Sequence, residues 1–288
     1  VQQLREEGYK IEATQRLGYK FLGDNNLVTA EVLTPRLHCP LEPIYYATVD
    51  STNTEAKRLL NAGYRGNFLV VADEQTGGKG RRGRAWCTPK GSAIAMTIVL
   101  RPDIRPELAS MVTLVMGLSV AKAIGSLYPV SVGIKWPNDV VVNGKKICGI
   151  LTEMSAEMTG IHYLVIGTGI NTNVEEFPEE IQSVATSLIK ELGEKVNRAE
   201  LIAACLKYFE EYYEKYIAAV NLAPLKEDYE ALLLNRNNKV RVLEPNHEYT
   251  GLSLGINEDG ELLVEKEDGT VTAVYAGEVS VRGVYGYV

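Results

Sequence analysis

The sequence predicts an α+β protein: a region of mixed strands and helices followed by a small all-β module. Three observations carry that reading. Between residues 44 and 234, short apolar runs alternate with helical patterns. From Lys239 onward the texture changes to short strands separated by the turns Glu258-Asp259-Gly260 and Glu267-Asp268-Gly269. The length of 288 residues is about twice the common domain size, so more than one unit is expected.

Residues 2–8 read as a helix tail closed by Gly8, and 9–12 and 17–22 as two short alternating strands. A helix end plus a two-stranded ribbon is half of a winged helix-turn-helix, and a segment this short cannot bury a core alone. The other half is expected to precede Val1. The span 26–37 reads as a linker helix stopped around Pro35 and Pro40. A strand over 44–49 leads into Thr52-x-x-Glu55, a capping-box spacing, and a helix whose stripe of Ala56, Leu59 and Leu60 ends at Gly63.

A buried strand over 67–72 precedes a long loop rich in Gly and Arg, of a length that is usually functional. Next come a strand over 93–100 and a helix over 106–127, apolar on most sides and therefore expected to be buried. Strands over 133–136, 139–142, 146–153 and 162–170 follow, with Asn143-Gly144 as a hairpin turn. Residues 171–185 form a second irregular stretch. An amphipathic helix over 198–220 carries Leu201, Ile202, Cys205, Phe209, Tyr212, Tyr216 and Val220 near one face, and 225–234 reads as a shorter helix. The domains expected are 1–22, 23–43 (a linker), 44–237 and 238–288.

Thirty basic against 37 acidic residues leave a net charge of −7, so phosphate binding must come from a local cluster and not from a bulk basic footprint. The four cysteines lie no closer than 48 residues apart and show neither C-x-x-C nor zinc spacing. Three scattered histidines make a His-rich metal site improbable. No run approaches the ~18 apolar residues of a membrane span, and no signal pattern opens the chain. A cytoplasmic protein without a membrane partner is expected.

The sharpest local feature is Gln75 followed by Gly78-Lys79-Gly80-Arg81-Arg82-Gly83-Arg84 and Trp86, with four cations inside six residues. Its glycines satisfy G-x-G-x-x-G, yet a turn and a strand follow where a dinucleotide fold needs a helix. Arginine grips phosphate or carboxylate in a bidentate fork, and glycine lets the backbone come close, so the loop reads as a cradle for a phosphate-bearing anion. A solvated basic loop is the plain alternative. The second feature, Lys135-Trp136-Pro137-Asn138-Asp139, supplies a cation and oxygen donors suited to Mg²⁺, or else a simple turn. Gly167-Thr168-Gly169-Ile170-Asn171 permits close approach at a strand end, and Ser51-Thr52-Asn53 either caps a helix or binds a small polar ligand.

In order and combination these elements, with Lys146-Ile-Cys-Gly149-Ile150-Leu151 and the closing Gly277-Glu278-Val279-Ser280-Val281-Arg282, resemble the biotin protein ligases over roughly residues 44–282. The partial winged helix resembles the class that also represses biotin operons. Lys79 stands where that family commonly has Arg. The resemblance implies a fold like that of class II aminoacyl-tRNA synthetases with an SH3-like C-terminal barrel. It also implies two half-reactions: biotin and MgATP give biotinyl-5′-AMP and pyrophosphate, and a carrier-protein lysine then takes the biotin.

By the same resemblance, Ser51, Thr52, Asn53, Gln75, Gly78, Lys79, Gly80, Arg81, Lys135, Gly149 and Gly169 bind biotin, and Lys135 and Arg81 are catalytic. Arg82, Arg84, Trp86, Asn138, Asn171 and Arg282 bind ATP or the adenylate, and Asn138 and Asp139 are metal candidates. ATP, Mg²⁺ and biotin are required, with no tightly bound prosthetic group. The partners implied are the biotin carboxyl carrier protein of acetyl-CoA carboxylase, a second copy of the chain, and operator DNA only if the winged helix is complete. A lipoate ligase, a DNA-binding transcriptional repressor with biotinyl-AMP as its corepressor, and a basic-loop binding module are the rival readings.

Overall fold

A computed structural model describes residues 1–6, 9–14, 18–23, 26–157, 160–244, 247–276 and 280–283. At the N-terminus, α1 (Gln2–Glu6) is followed by the antiparallel hairpin of β1 (Lys10–Thr14) and β2 (Gly18–Gly23), as the alternation predicted. The linker helix is a shorter element than expected, α2 (Ala30–Leu33), closed by a 3₁₀ turn at Pro35.

The main sheet has seven strands: β3 (Glu42–Tyr46), β4 (Phe68–Ala72), β5 (Ile94–Leu100), β6 (Val132–Lys135), β7 (Asp139–Val142), β8 (Lys145–Glu157) and β9 (Gly160–Ile170). Their spatial order is β3-β4-β5-β9-β8-β7-β6, mixed because β3 and β4 run parallel while every other pair is antiparallel. Two-residue periodicity sends alternate side chains to opposite faces. On β5, Ile94, Met96, Ile98 and Leu100 enter the main core, whereas Val99 joins a smaller core with Ala56, Leu60, Phe68 and Val165. The helix α3 (Thr52–Asn61) covers that second face.

Over the main core lie α4 (Ala109–Leu127) and α6 (Arg198–Ala219), with the short α5 (Leu188–Leu192) between them in sequence. The stretch Pro106–Leu127 is long and apolar enough to cross a membrane, which corrects the reading that no run approaches that composition. It is mostly buried inside the protein, and a helix apolar on all sides is what a core position requires. Asn197 caps α6 by accepting from the Glu200 amide. Arg198, 2% exposed, pairs with Asp73 at 2.8 Å and donates to the carbonyls of Ala93 and Asn26, tying linker, sheet and helix together.

After α7 (Lys226–Leu232) a second, antiparallel sheet forms from β10 (Lys239–Glu244), β11 (His247–Ile256), β12 (Leu262–Glu265), β13 (Val271–Val274) and β14 (Ser280–Gly283), in the order β13-β12-β11-β10-β14. This is the SH3-like module. Its turn at Gly260 is pressed onto α4: a Cβ there would come within 2.9 Å of the Leu114 side chain. Trp136, fully buried, donates its indole N–H to the Gly260 carbonyl at 3.0 Å.

Candidate active site

Sheet register builds the floor of the site. Ala95 on β5, Gly169 on β9, Gly149 on β8 and Asp139 on β7 pair in one row, and Lys135 on β6 ends it. The next row holds Thr97, Gly167 and Leu151. Cross-strand partners share a face, so the glycines clear a shallow bed on the α3 side of the sheet. The strand spacing places Lys135 about 10 Å along the row from Gly149.

One end of the bed is walled by the start of α3. Ser51 is the N-cap residue, and the expected capping box is not made. Thr52 instead directs its backbone N–H and its hydroxyl at Gln75 Oε1, at 3.0 and 3.1 Å, and Glu55 pairs with Arg58. Gln75 Nε2 donates to Thr88 Oγ1. Thr97 Oγ1 sits 2.8 Å from Thr52 Oγ1 and 2.7 Å from Asn53 Oδ1. Behind Asn53 stands Glu153, paired with Lys57 at 2.6 Å. Burial raises the Glu153 pKa, but hydrogen bonds from Lys57 and Asn53 outweigh it and hold the carboxyl below its usual range.

The Gly-Arg loop is a narrow ribbon. Bridges at Gln75–Thr88 and Lys79–Ala85, with Trp86 N donating to Gly78 O and Gly80 N to Arg84 O, carry the chain out to a turn at Arg81–Gly83. Gly78 is required there because a Cβ would lie 2.3 Å from the Trp86 carbonyl. The ribbon lays the Trp86 indole on the glycine bed, 2.3 Å from where a Gly169 Cβ would stand, with its N–H buried and unpartnered. Lys79, Arg82 and Arg84 project from the ribbon, Arg82 with φ of 58°. Arg81 donates to Asn138 Oδ1 at 2.9 Å and to the Ala276 carbonyl at 2.8 Å, linking loop, sheet and C-terminal module. Burial lowers its pKa, and the Asp139 charge partly opposes that shift.

Two members of the Lys135–Asp139 motif are engaged by other side chains. The Asn138 oxygen is taken by Arg81, and Asp139 Oδ1 is bound by Lys146 Nζ at 2.6 Å. That leaves the pair a poor cation site, since Mg²⁺ needs oxygen ligands that are free, and no cluster of three metal-binding side chains exists among the described residues. Lys135 is 6% exposed, adjacent to the small cavity without lining it.

Asn171, expected to contact the nucleotide, is also buried. Its carboxamide donates to the Thr186 carbonyl and shapes the return of the 171–185 stretch, whose end pairs beside Lys146. The Arg282 backbone pairs with Arg241, while its side chain and residues 277–279 of the closing motif lie outside the described residues. Sequence reasoning named Lys146, which lies 5.6 Å over the Trp86 ring, only as a motif member without a role, and missed Thr97 and Glu153.

Two cavities meet at Arg81. The smaller, about 50 Å³, is walled by Ser51, Thr52, Asn53 and Gln75, floored by Gly149 and Gly169, and nearly filled by Trp86. The larger, about 600 Å³, opens between α4, β8 and the C-terminal module and is lined by Arg82, Ser110, Thr113, Thr152 and Tyr275. A tight polar pocket for a small head group beside a cationic cleft suits condensation of a small acid with a phosphate-bearing partner.

This fold and site define a ligase of the biotin/lipoate class: residues 45–171 match the Biotin/lipoate A/B protein ligase family and 237–282 the Biotin protein ligase C terminal domain. The bifunctional ligase/repressor BirA of Bacillus spizizenii is 35% identical over 284 residues, covering 97% of this chain and 87% of that protein. The biotin–[acetyl-CoA-carboxylase] ligase of Mycobacterium tuberculosis is 33% identical, covering 73% and 77%. A solved biotin protein ligase from Aquifex aeolicus, in complex with biotin and ATP, superposes with a TM-score of 0.74 at 32% identity, covering 84% of this chain and 98% of that one. The chain belongs to the biotin protein ligase family.

Proposed function

We propose that this protein joins biotin to a lysine of the biotin carboxyl carrier protein in two steps. The biotin carboxylate attacks the α-phosphorus of ATP, forming the mixed anhydride biotinyl-5′-AMP as the bond to pyrophosphate breaks. The carrier lysine amine then attacks the anhydride carbonyl carbon, an amide forms, and AMP leaves. The observation that carries the reading is the polar wall at one end of a glycine floor with cations at the other.

Ser51, Thr52, Asn53 and Gln75 hold the ureido ring, and Gly149 and Gly169 admit the flat bicycle. Lys79, Arg81 and the amides of the ribbon face the carboxylate, with the Gly80 amide released from Arg84 when ligand enters. Lys135 bridges carboxylate and α-phosphate. Arg82, Arg84 and Arg282 meet the phosphates, and Trp86 leaves the floor to flank the adenine. Mg²⁺ travels on the ATP phosphates. Bringing two anions together needs positive charge and positioning, and orientation alone contributes about 7–11 kcal/mol in favourable cases. No histidine base is required.

Cytoplasmic location follows from the ATP and carrier substrates. Repression belongs to the reading because BirA relatives are named ligase/repressors, with operator binding requiring a complete winged helix; pairing with a second copy of the chain is part of the same proposal. Biotin-dependent exchange of pyrophosphate into ATP tests the ligase: exchange with biotin and none with lipoate is expected, and no exchange refutes it. Lys135→Ala is expected to lose exchange while keeping biotin binding; equal loss of both would remove Lys135 from the catalytic role.

A further inference from the structure

The polar wall is oriented from behind. Asn53 is 4% exposed, and its Nδ2 lies 2.9 Å from Glu153 Oε2 and 3.2 Å from the Leu151 carbonyl. A carboxylate and a carbonyl only accept, so the amide nitrogen must face them; a flipped carboxamide would set oxygen against oxygen twice. Asn53 Oδ1 is thereby turned toward Gly167, where it takes the Thr97 hydroxyl and keeps one acceptor site for a ligand. Glu153 is itself clamped by Lys57, one turn beyond Asn53 on α3. Gln75 is fixed in the opposite sense: its oxygen is filled by two groups of Thr52, so it can offer a ligand only an N–H.

We propose that Glu153, held by Lys57, is a positioning residue for head-group specificity: it locks Asn53 as an acceptor, so the wall selects a ring that offers an N–H beside a carbonyl. This rests on the biotin reading and names what enforces it. The wall's acceptor and donor match the adjacent N–H and C=O of a cyclic urea and reject a sulfur ring, because an unmatched buried polar group is left without a partner.

The test measures binding of biotin and of its two ring-carbamate analogues, each with one ureido N–H replaced by oxygen, alongside KM values in the exchange assay. The wild-type protein is expected to bind one analogue at least about tenfold more weakly than biotin, the loss of a hydrogen bond to a buried acceptor. In Glu153→Ala that ratio should fall to roughly threefold or less, with the biotin KM raised and the ATP KM unchanged. Glu153→Gln keeps an oxygen facing Asn53 Nδ2 and should restore discrimination. Full discrimination in Glu153→Ala, an equal rise in both KM values, or no rescue by Glu153→Gln would overturn the proposal. Should Glu153→Ala not fold, Lys57→Met unclamps the carboxylate, and unchanged discrimination in that variant overturns it as well. Biotin binding without exchange would defeat the ligase reading alone, whereas no biotin binding defeats both.

Discussion

Gly169→Ala places a methyl group 2.3 Å from Trp86 Nε1 and 2.4 Å from Cε2, where ordinary contact begins near 3.4 Å. The indole must therefore rise by about 1 Å or more. The backbone cannot follow easily, because Trp86 N is bonded to Gly78 O at 2.9 Å and its carbonyl is jammed against Gly78. Overpacking of this kind costs about 1–3 kcal/mol. The cost falls on the ribbon, which gives up the Arg81 bonds to Asn138 and Ala276 if it lifts from the sheet, and the seated ribbon should lose about 5- to 150-fold in population. Quenching of tryptophan emission by acrylamide reads this directly: the chain has two tryptophans, and Trp136 is 1% exposed and silent. Gly169→Ala is expected to increase the quenching of Trp86 markedly while the melting temperature barely moves. Wild-type quenching would refute the packing argument, and a large fall in melting temperature would mean that the ribbon belongs to the global fold.

Trp136→Phe keeps most of the buried ring but deletes the hydrogen bond to Gly260, leaving a buried carbonyl unpaired; a loss of about 1–3 kcal/mol in urea unfolding is expected, and an unchanged midpoint would show the contact to be dispensable. Arg198→Met strands Asp73 at 7% exposure and should cost about 3–5 kcal/mol, read by the same titration; a loss within the range of an ordinary surface change would contradict the role assigned to that pair. Glu153 is depressed on folding, so its contribution is present above the ordinary value of 4.5 and is lost as pH falls through the lower folded value. Lys57→Met should flatten the fall of Tm between about pH 5 and about pH 3, and an identical slope would exclude the pair as a source of acid sensitivity.

Periodicity made the strands around 67–72 and 93–100 and the long helix legible, because each buries one or both faces in a pattern that sequence records. The motifs Ser51–Asn53, Gln75, the Gly-Arg run and Gly149 with Gly169 were legible as chemistry. Their meeting was not, since the row from Ala95 to Lys135 depends on the register of four successive strands and on the pairing of β9 with β5, some 70 residues earlier in the chain. Glu153 and Thr97 stayed invisible for the same reason: each sits in a strand at a position where Glu or Thr alone signals nothing. What Asn171 and Asp139 hold in this structure was not legible either, because a polar side chain in a motif can serve the chain's own backbone or a neighbouring lysine as readily as a ligand.

The burial of Trp136 has an architectural consequence. It follows Lys135 directly, and its indole plugs the seam with the turn of the C-terminal module. A gene ending near residue 238 would thus not yield a smaller enzyme lacking an accessory part. It would leave an indole-sized apolar surface open to water one peptide away from Lys135, and the seam would reappear as a sticky, misaligned face. The two halves are therefore expected to be stable only together, with the seam around Trp136 as the part each supplies to the other.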